Sequence, residues 1–405
     1  MIFISIDPKT LLERALLFND KMVQNRRELH RNSETGFDIP VTLEFVRNEL
    51  DMAGVKWDNC GRAGITAVIG GKRSGKTFML RADMDGLPIK EESGETFSSP
   101  NGNMHACGHD MHTAMLLGAA RLLKEYENEI NGTVKLMFQP AEELFEGSED
   151  MIRSGLLENP HVDAALMIHV VSPIPLETGT VVVSAPGISA PGADYFTIDI
   201  QGKGCHGSMP NTGIDPITAA ARIITGLQEI SARELAMGEK AVITVGSVKA
   251  GNAANVIPDT AQLKGSIRTF DDNVRNFVIK RVEEISSGIA SAFRCTAKTY
   301  FDGGCPSLLN DKALSECAER YAAELLGKDK ALSAAAMGGS GASGSEDFAF
   351  ISRQVPSIVL ALAAGHPKDG FCYPQHHPMV RFDEKALSTG CAVYAYMAMR
   401  WLEEN

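Results

Sequence analysis

The chain has 405 residues, 44% of them apolar and 22% charged, an ordinary globular composition that excludes a disulfide miniature, a fibrous repeat and a disordered tail. Its formal net charge of −12 provides no global positive field for phosphate backbones or anionic lipid, so neither nucleic acid nor a membrane surface is an expected partner. The eight cysteines lie far apart, with no Cys-x-x-Cys pair, and read as reduced thiols of a cytoplasmic protein.

In chain order, Met1-Ile2-Phe3-Ile4-Ser5-Ile6 lacks the basic n-region and small-residue cleavage site of a signal peptide. No apolar stretch approaches the ~20 residues that a membrane-spanning helix needs. Residues 9–31 and 41–52 carry apolar side chains at helical spacing. Residues 65–70, 77–82, 133–138, 162–168 and 357–362 are short apolar runs of the kind buried on both faces of a parallel sheet, and residues 111–126 predict a long helix between two of them.

The middle of the chain changes pattern. Residues 195–201, 216–231, 241–248, 260–269, 274–293 and 295–301 predict strand, helix, strand, strand, helix and strand, the order of a ferredoxin-like α+β unit. Gly and Pro clusters at 184–192 and 303–306 read as its hinges, and the Gly/Ser/Ala-rich residues 334–344 as a linker. The expected architecture is α/β: a mostly parallel-sheet domain from residues 1–187 and 304–405, interrupted by an inserted ferredoxin-like domain at 188–303.

Ligands of parallel sheets sit at the carboxyl ends of the strands, so the residues that follow each apolar run carry the functional information. Those residues are Asp83 and Asp85 after the second run, Glu142 and Glu143 after the third, and His169 after the fourth. Cys107, His109 and His112 surround the start of the long helix, and His376 and His377 follow the last strand region. Each has a bland reading alone: Asp83 and Asp85 as turn caps, Glu142-Glu143 as a solvated loop, His169 as a core histidine, Cys107 and His109 as an incidental pair. Together they form a set of N, O and S donors whose carboxylates would repel one another unless divalent cations neutralised them. Paired glutamates further permit one to bind metal while its neighbour acts as a general base toward water.

Several ordered motifs carry a resemblance over nearly the whole chain. They include Arg26-Arg27-Glu28-Leu29-His30, Arg81-Ala82-Asp83-Met84-Asp85-Gly86-Leu87-Pro88, the segment around Cys107 and His109, Gln139-Pro140-Ala141-Glu142-Glu143, Gly204-Cys205-His206, Asn255-Val256-Ile257-Pro258 and Gly344-Ser345-Glu346-Asp347-Phe348. The chain resembles the aminoacylase and carboxypeptidase family of dinuclear metallohydrolases, most closely its amidohydrolase branch of hippurate hydrolases, indoleacetyl-amino-acid hydrolases and N-acyl-amino-acid deacylases. The resemblance implies a metallopeptidase-like catalytic domain, a dimerisation or lid role for the insert, and two divalent ions per subunit drawn from Zn, Mn, Co or Ni.

It also implies metal ligands at Cys107, as the bridge, His109, Glu143, His169 and His376, with His377 as the fallback for the last. Glu142 would be the general base and Asp85 an orienting residue. Asp83 stands where other branches carry a metal-binding histidine, and is expected near the metals without ligating them. His206 matches a histidine that reaches a partner's active site and stabilises the oxyanion, while Asn255 and Arg268 match positions lining the substrate region. The implied activity is hydrolysis of N-acyl amino acids by a homodimer or higher homo-oligomer, with dipeptidase or carboxypeptidase action as the neighbouring reading. The chain departs from the usual pattern at Ser33, where proline commonly precedes the glutamate, at Cys205 of the usual Gly-Gly-His, and at Ser208-Met209-Pro210-Asn211, which lacks a following histidine. Outside the resemblance stand a thiol hydrolase with Cys107 as nucleophile and His109 or His112 as base, and a binding protein without turnover.

Overall fold

The computed structural model describes residues 7–338 and 344–405. The apolar run at residues 1–6 and residues 339–343 of the Gly/Ser/Ala-rich segment lie outside the described residues. Two compact units divide the chain, the first within Met1–Ser189, Leu309–Gly341 and Phe350–Asn405, the second within Ala190–Leu308 and Ala342–Ala349.

The first unit is built on an eight-stranded sheet. Its centre is four mutually parallel strands in the order Thr133–Gln139, Thr77–Asp83, Ala164–Val171 and Ser357–Ala363. These runs are almost wholly buried, as their mostly apolar content, interrupted by Arg81, Lys135 and His169, befits strands covered on both faces. Antiparallel pairing appears toward the edges: the 65–70 run belongs to Gly64–Gly70, which pairs antiparallel with Thr133–Gln139 and with an unforeseen strand, Trp57–Cys60. On the other side Val181–Val183 runs antiparallel to Ser357–Ala363 and parallel to Ala331–Ser333, an unforeseen strand just ahead of the Gly/Ser/Ala-rich segment.

Helices His109–Glu125 and Ala386–Glu404 are apolar around most of their circumference and pack on each other in the core. The expected helix at 9–31 is two helices, Pro8–Leu17 and Asn19–Arg31. Phe18 closes the first with a tight N–H bond to the Ala15 carbonyl, and Asn19-Asp20, both weak helix formers, begin the second. The helix starts obey local chemistry: Asp7, Asp215, Asp271 and Asp311 each cap a backbone N–H two or three residues on, and Pro8, Pro40 and Pro216 occupy first-turn positions whose N–H has no helical partner.

In the second unit, strands Ala241–Ala250, Thr260–Thr269, Gly192–Gln201 and Thr296–Cys305 form an all-antiparallel sheet in that order. Helices Pro216–Glu229 and Asp272–Ala292 pack against it around Phe196, Ile198, Ile223, Leu263 and Val278. The expected hinge at 303–306 is in part a continuation of the last strand, which passes through Gly303 and Gly304 with a bulge after Phe301. The expected hinge at 184–192 likewise holds a short strand, Gly187–Ala190.

Candidate metal centre

The four central strands all deliver their carboxyl ends to one edge of the first unit. Asp83 and Gln139 end two neighbouring strands in register, and His169 lies beside Ala361 on the next pair. From that edge Glu142 and Glu143 follow Gln139 in a tight loop whose flanking Ala141 and Phe145 both have positive φ, 53° and 56°. Non-glycine residues held there carry strain of about 1–3 kcal/mol each, which the surrounding structure must over-determine. Gly147 closes the loop because a Cβ there would stand 1.7 Å from the Pro140 carbonyl oxygen.

Cys107 and His109 approach on the turn into the His109–Glu125 helix. Gly108 between them has φ +91°, and a Cβ on it would lie 2.4 Å from Val170, so glycine lets this turn press against the His169 strand. His376 also has positive φ, 65°, and its N–H donates to the Ala106 carbonyl at 3.0 Å, which fastens the C-terminal loop to the Cys107 segment.

Within the first unit the donors form overlapping groups whose ligand atoms lie within 4.8 Å of one another: Asp83, His109 and His112; His109, Glu142 and Glu143; and two trios, Cys107, His109 and His169, and Cys107, Glu143 and His376. Both contain the Cys107 sulfur. Glu142 is 5% exposed, and its carboxylate lies 3.9 Å from His109 Nε2. His377 stands apart from these trios, with its ring stacked on Tyr373 and its Nδ1 accepting from the Met379 N–H at 3.1 Å.

Neighbouring groups set the tautomers. His109 Nδ1 lies 2.9 Å from the Asp85 carbonyl oxygen, which can only accept, so Nδ1 carries hydrogen and the buried Nε2, without a hydrogen-bond partner, faces the carboxylates. Burial alone would lower this imidazole, but Asp83 and Cys107 hold it well above its ordinary value, so a divalent ion at Nε2 would take the place of a proton. His169 Nδ1 donates to the Val170 carbonyl at 2.8 Å, leaving Nε2 facing the Cys107 sulfur at 3.6 Å. The Asp85 carboxylate accepts from the backbone N–H of Glu142 at 3.0 Å and of Glu143 at 3.3 Å, so one residue orients both the histidine and the glutamate loop. A buried imidazole lone pair, a thiol and clustered carboxylates are the donor chemistry that a divalent ion satisfies.

Residues 79–400 match the Peptidase family M20/M25/M40. The chain belongs to that family. The Arabidopsis thaliana IAA-amino acid hydrolase ILR1-like 2 is 36% identical over 95% of this chain and 86% of its own length. The Geobacillus stearothermophilus N-acyl-L-amino acid amidohydrolase is 39% identical over 70% of this chain and 76% of its own. Among solved structures, a Bacillus subtilis dinuclear metal binding peptidase from the M20 family superposes with a TM-score of 0.78 at 32% identity, covering 96% of this chain and 99% of the other. The chain is accordingly a metal-dependent hydrolase of amide bonds.

Within this M20/M25/M40 chain, Asp83 is fully buried but already engaged. Its carboxylate accepts from Arg81 Nη1 at 2.6 Å and from His112 Nδ1 at 2.6 Å, while His112 Nε2 accepts from the Val170 N–H at 2.9 Å. Burial alone would raise the Asp83 carboxyl, but Arg81, His109 and His112 hold it well below the usual range. His112 therefore acts as a strut between two strands, with both ring nitrogens occupied.

The same surroundings disfavour a free thiol nucleophile. Burial pushes the Cys107 thiol up to about 12, against the lowered values of reactive cysteines, and His112 has no nitrogen left to serve as base. His169 is pushed down to about 3 by burial and by His112, which keeps its imidazole neutral and fit to donate a lone pair.

The other residues that the resemblance singled out, His206, Asn255 and Arg268, lie in the second unit. His206 is exposed on a two-stranded ribbon paired with Val256, and its Nδ1 accepts from the Ser208 N–H at 3.2 Å, so the neutral ring carries hydrogen on Nε2. Exposed Asn255 supports that turn by accepting the Gly207 N–H at 2.7 Å. Arg268 is partly buried, with its guanidinium 5.3 Å from the Tyr195 ring centroid.

Proposed function

We propose that the chain hydrolyses the amide bond of N-acyl amino acids at the carboxyl edge of its central sheet, using two divalent ions held by Cys107, His109, Glu143, His169 and His376. The observation that carries this reading is the pair of donor trios sharing the Cys107 sulfur, with the buried Glu142 beside them. Such ions supply Lewis acidity and lower the pKa of a water toward about 7. Glu142 takes a proton from the attacking water as its oxygen bonds to the acyl carbon, then gives that proton to the amine nitrogen as the C–N bond breaks. The products are a carboxylic acid and a free amino acid.

His206 acts as hydrogen-bond donor to the substrate carbonyl oxygen through Nε2, reaching the site of a second copy in a homodimer. Asn255 and Arg268 contact the substrate, Arg268 as a fixed cation for its carboxylate. The printed names of the plant and Geobacillus relatives support this substrate class. A reducing, cytoplasmic setting is supported by all eight cysteines being free thiols. Among the described residues no helix is long and apolar enough to cross a membrane.

Glu142→Gln tests the assignment. The variant should bind metal as the parent does and lose roughly 10²–10⁴-fold in turnover of an N-acetyl amino acid. Near-parental turnover would contradict the general-base role.

A further inference from the structure

Gln375 joins three of the five proposed ligand segments through one side chain. Its Nε2 lies 3.0 Å from the Cys107 carbonyl oxygen, 3.2 Å from the Val170 carbonyl oxygen and 3.7 Å from the Cys107 sulfur. Both carbonyls can only accept, so the amide nitrogen, not its oxygen, must face this group. The Val170 carbonyl is also the acceptor that orients His169, and the next residue along the chain from Gln375 is His376, whose N–H is bonded to the Ala106 carbonyl. Two successive residues thus clamp the C-terminal loop onto the Cys107 segment, and the Gln375 amide nitrogen lies 3.7 Å from the sulfur that both trios share, close enough for one N–H to be shared between it and the Cys107 carbonyl.

We propose that Gln375 is a positioning residue for the dinuclear centre: it fixes Cys107, His169 and His376 relative to one another, one of its two N–H hydrogens going to the Val170 carbonyl and the other shared between the Cys107 carbonyl and the Cys107 sulfur. This rests on the proposed ligation by Cys107. A donor to a bridging thiolate draws electron density from the sulfur and stabilises its filled orbitals, while the carbonyl bonds hold the loop that presents His376.

The test is cobalt(II) titration of metal-stripped protein against a competing chelator, read by absorption of the thiolate-to-cobalt charge-transfer band. Gln375→Met keeps length and bulk while removing the donors, and Gln375→Glu keeps shape while replacing donors by acceptors. Both should fold, as thermal melts by circular dichroism would verify, and both should bind cobalt roughly 10–100-fold more weakly. The band should move to longer wavelength in Gln375→Met, since the sulfur orbitals are no longer stabilised. Weaker binding with an unmoved band overturns the donation to sulfur, and unchanged affinity and band overturn the whole role. Absence of the band in the parent protein overturns Cys107 ligation itself, a failure distinct from that of Gln375 alone.

Discussion

Asp85 illustrates how much of the site depends on residues that touch no ion. Its carbonyl holds His109 Nδ1 and its carboxylate anchors the backbone of Glu142 and Glu143, so two proposed ligands and the proposed base depend on one side chain and its peptide group. Asp85→Asn places an NH₂ against one of those two N–H groups. The expected result is metal affinity roughly 10–100-fold lower in a chelator competition, with the fold retained; unchanged affinity would show that the loop holds itself. At this scale the sequence showed donor types and their positions after strands. It did not show His112 as a strut or Gln375 as a clamp, because those roles arise from a positive φ at His376 and a tautomer imposed by the Val170 N–H.

Among the elements, a buried polar cluster ties the Asn19–Arg31 helix to the start of the His109–Glu125 helix. Arg26 Nε donates to Asp110 at 2.7 Å, and His30 spans Asp110 at 2.8 Å and Glu91 at 3.1 Å. Burial alone would raise the Glu91 carboxyl, yet His30, Ser93 and the Ser99 N–H bring it down to about 2. Its folded value therefore lies below the ordinary 4.5, so the stability it contributes is present above pH 4.5 and is lost as pH falls toward 2. Burial would lower His30, but Asp110 and Glu91 hold it above its ordinary 6.5; that contribution is present below pH 6.5 and is lost as pH rises through the folded value. Glu91→Gln should lower the melting temperature at pH 6 and flatten the decline between pH 4.5 and 2, measured by thermal melts across that range. An unchanged acid limb would contradict the coupling.

The C-terminal helix makes a second such tie. Tyr394 Oη donates to the Arg81 carbonyl at 2.7 Å and accepts from the Ile168 N–H at 3.2 Å, bridging two central parallel strands. Tyr394→Phe should cost about 1–3 kcal/mol in denaturant unfolding, and a loss below a few tenths would contradict the bridge. The apolar runs made the central strands legible, and each ends one to three residues beyond its run, at Asp83, Gln139, Val171 or Ala363. The break at Phe18 and the antiparallel partners of the sheet were not legible, since apolar spacing records burial and carries no strand direction.

At the scale of the molecule, the proposed ligands come from segments between Cys107 and His376, so ions bound by them would join distant parts of the chain. Ions that bind only the folded state stabilise it, by about 2.7 kcal/mol at a hundredfold excess over Kd. Chelated protein should accordingly melt lower than metal-loaded protein, and identical melts would argue against a metal site in the folded first unit. The proposed homodimer predicts a two-chain mass by light scattering, and His206→Ala should depress turnover without altering metal affinity. A fully active monomer would contradict the role given to His206 in a second copy's site. Read from sequence, the α/β class and the ligand-bearing edge follow from runs of apolar residues ending in Asp, Glu and His, whereas the register that brings both trios to one sulfur emerges only when four strands lie side by side.

Cleavage of N-acyl amino acids by a dinuclear metal centre is decided by measuring amino-acid release from N-acetyl, N-benzoyl and long-acyl amino acids and from dipeptides, with metal-loaded and chelated protein side by side. The loaded protein should release amino acid from N-acyl amino acids, lose that activity on chelation and regain it when the divalent ion is returned. Equal release after chelation, or none from loaded protein across the panel, would contradict it.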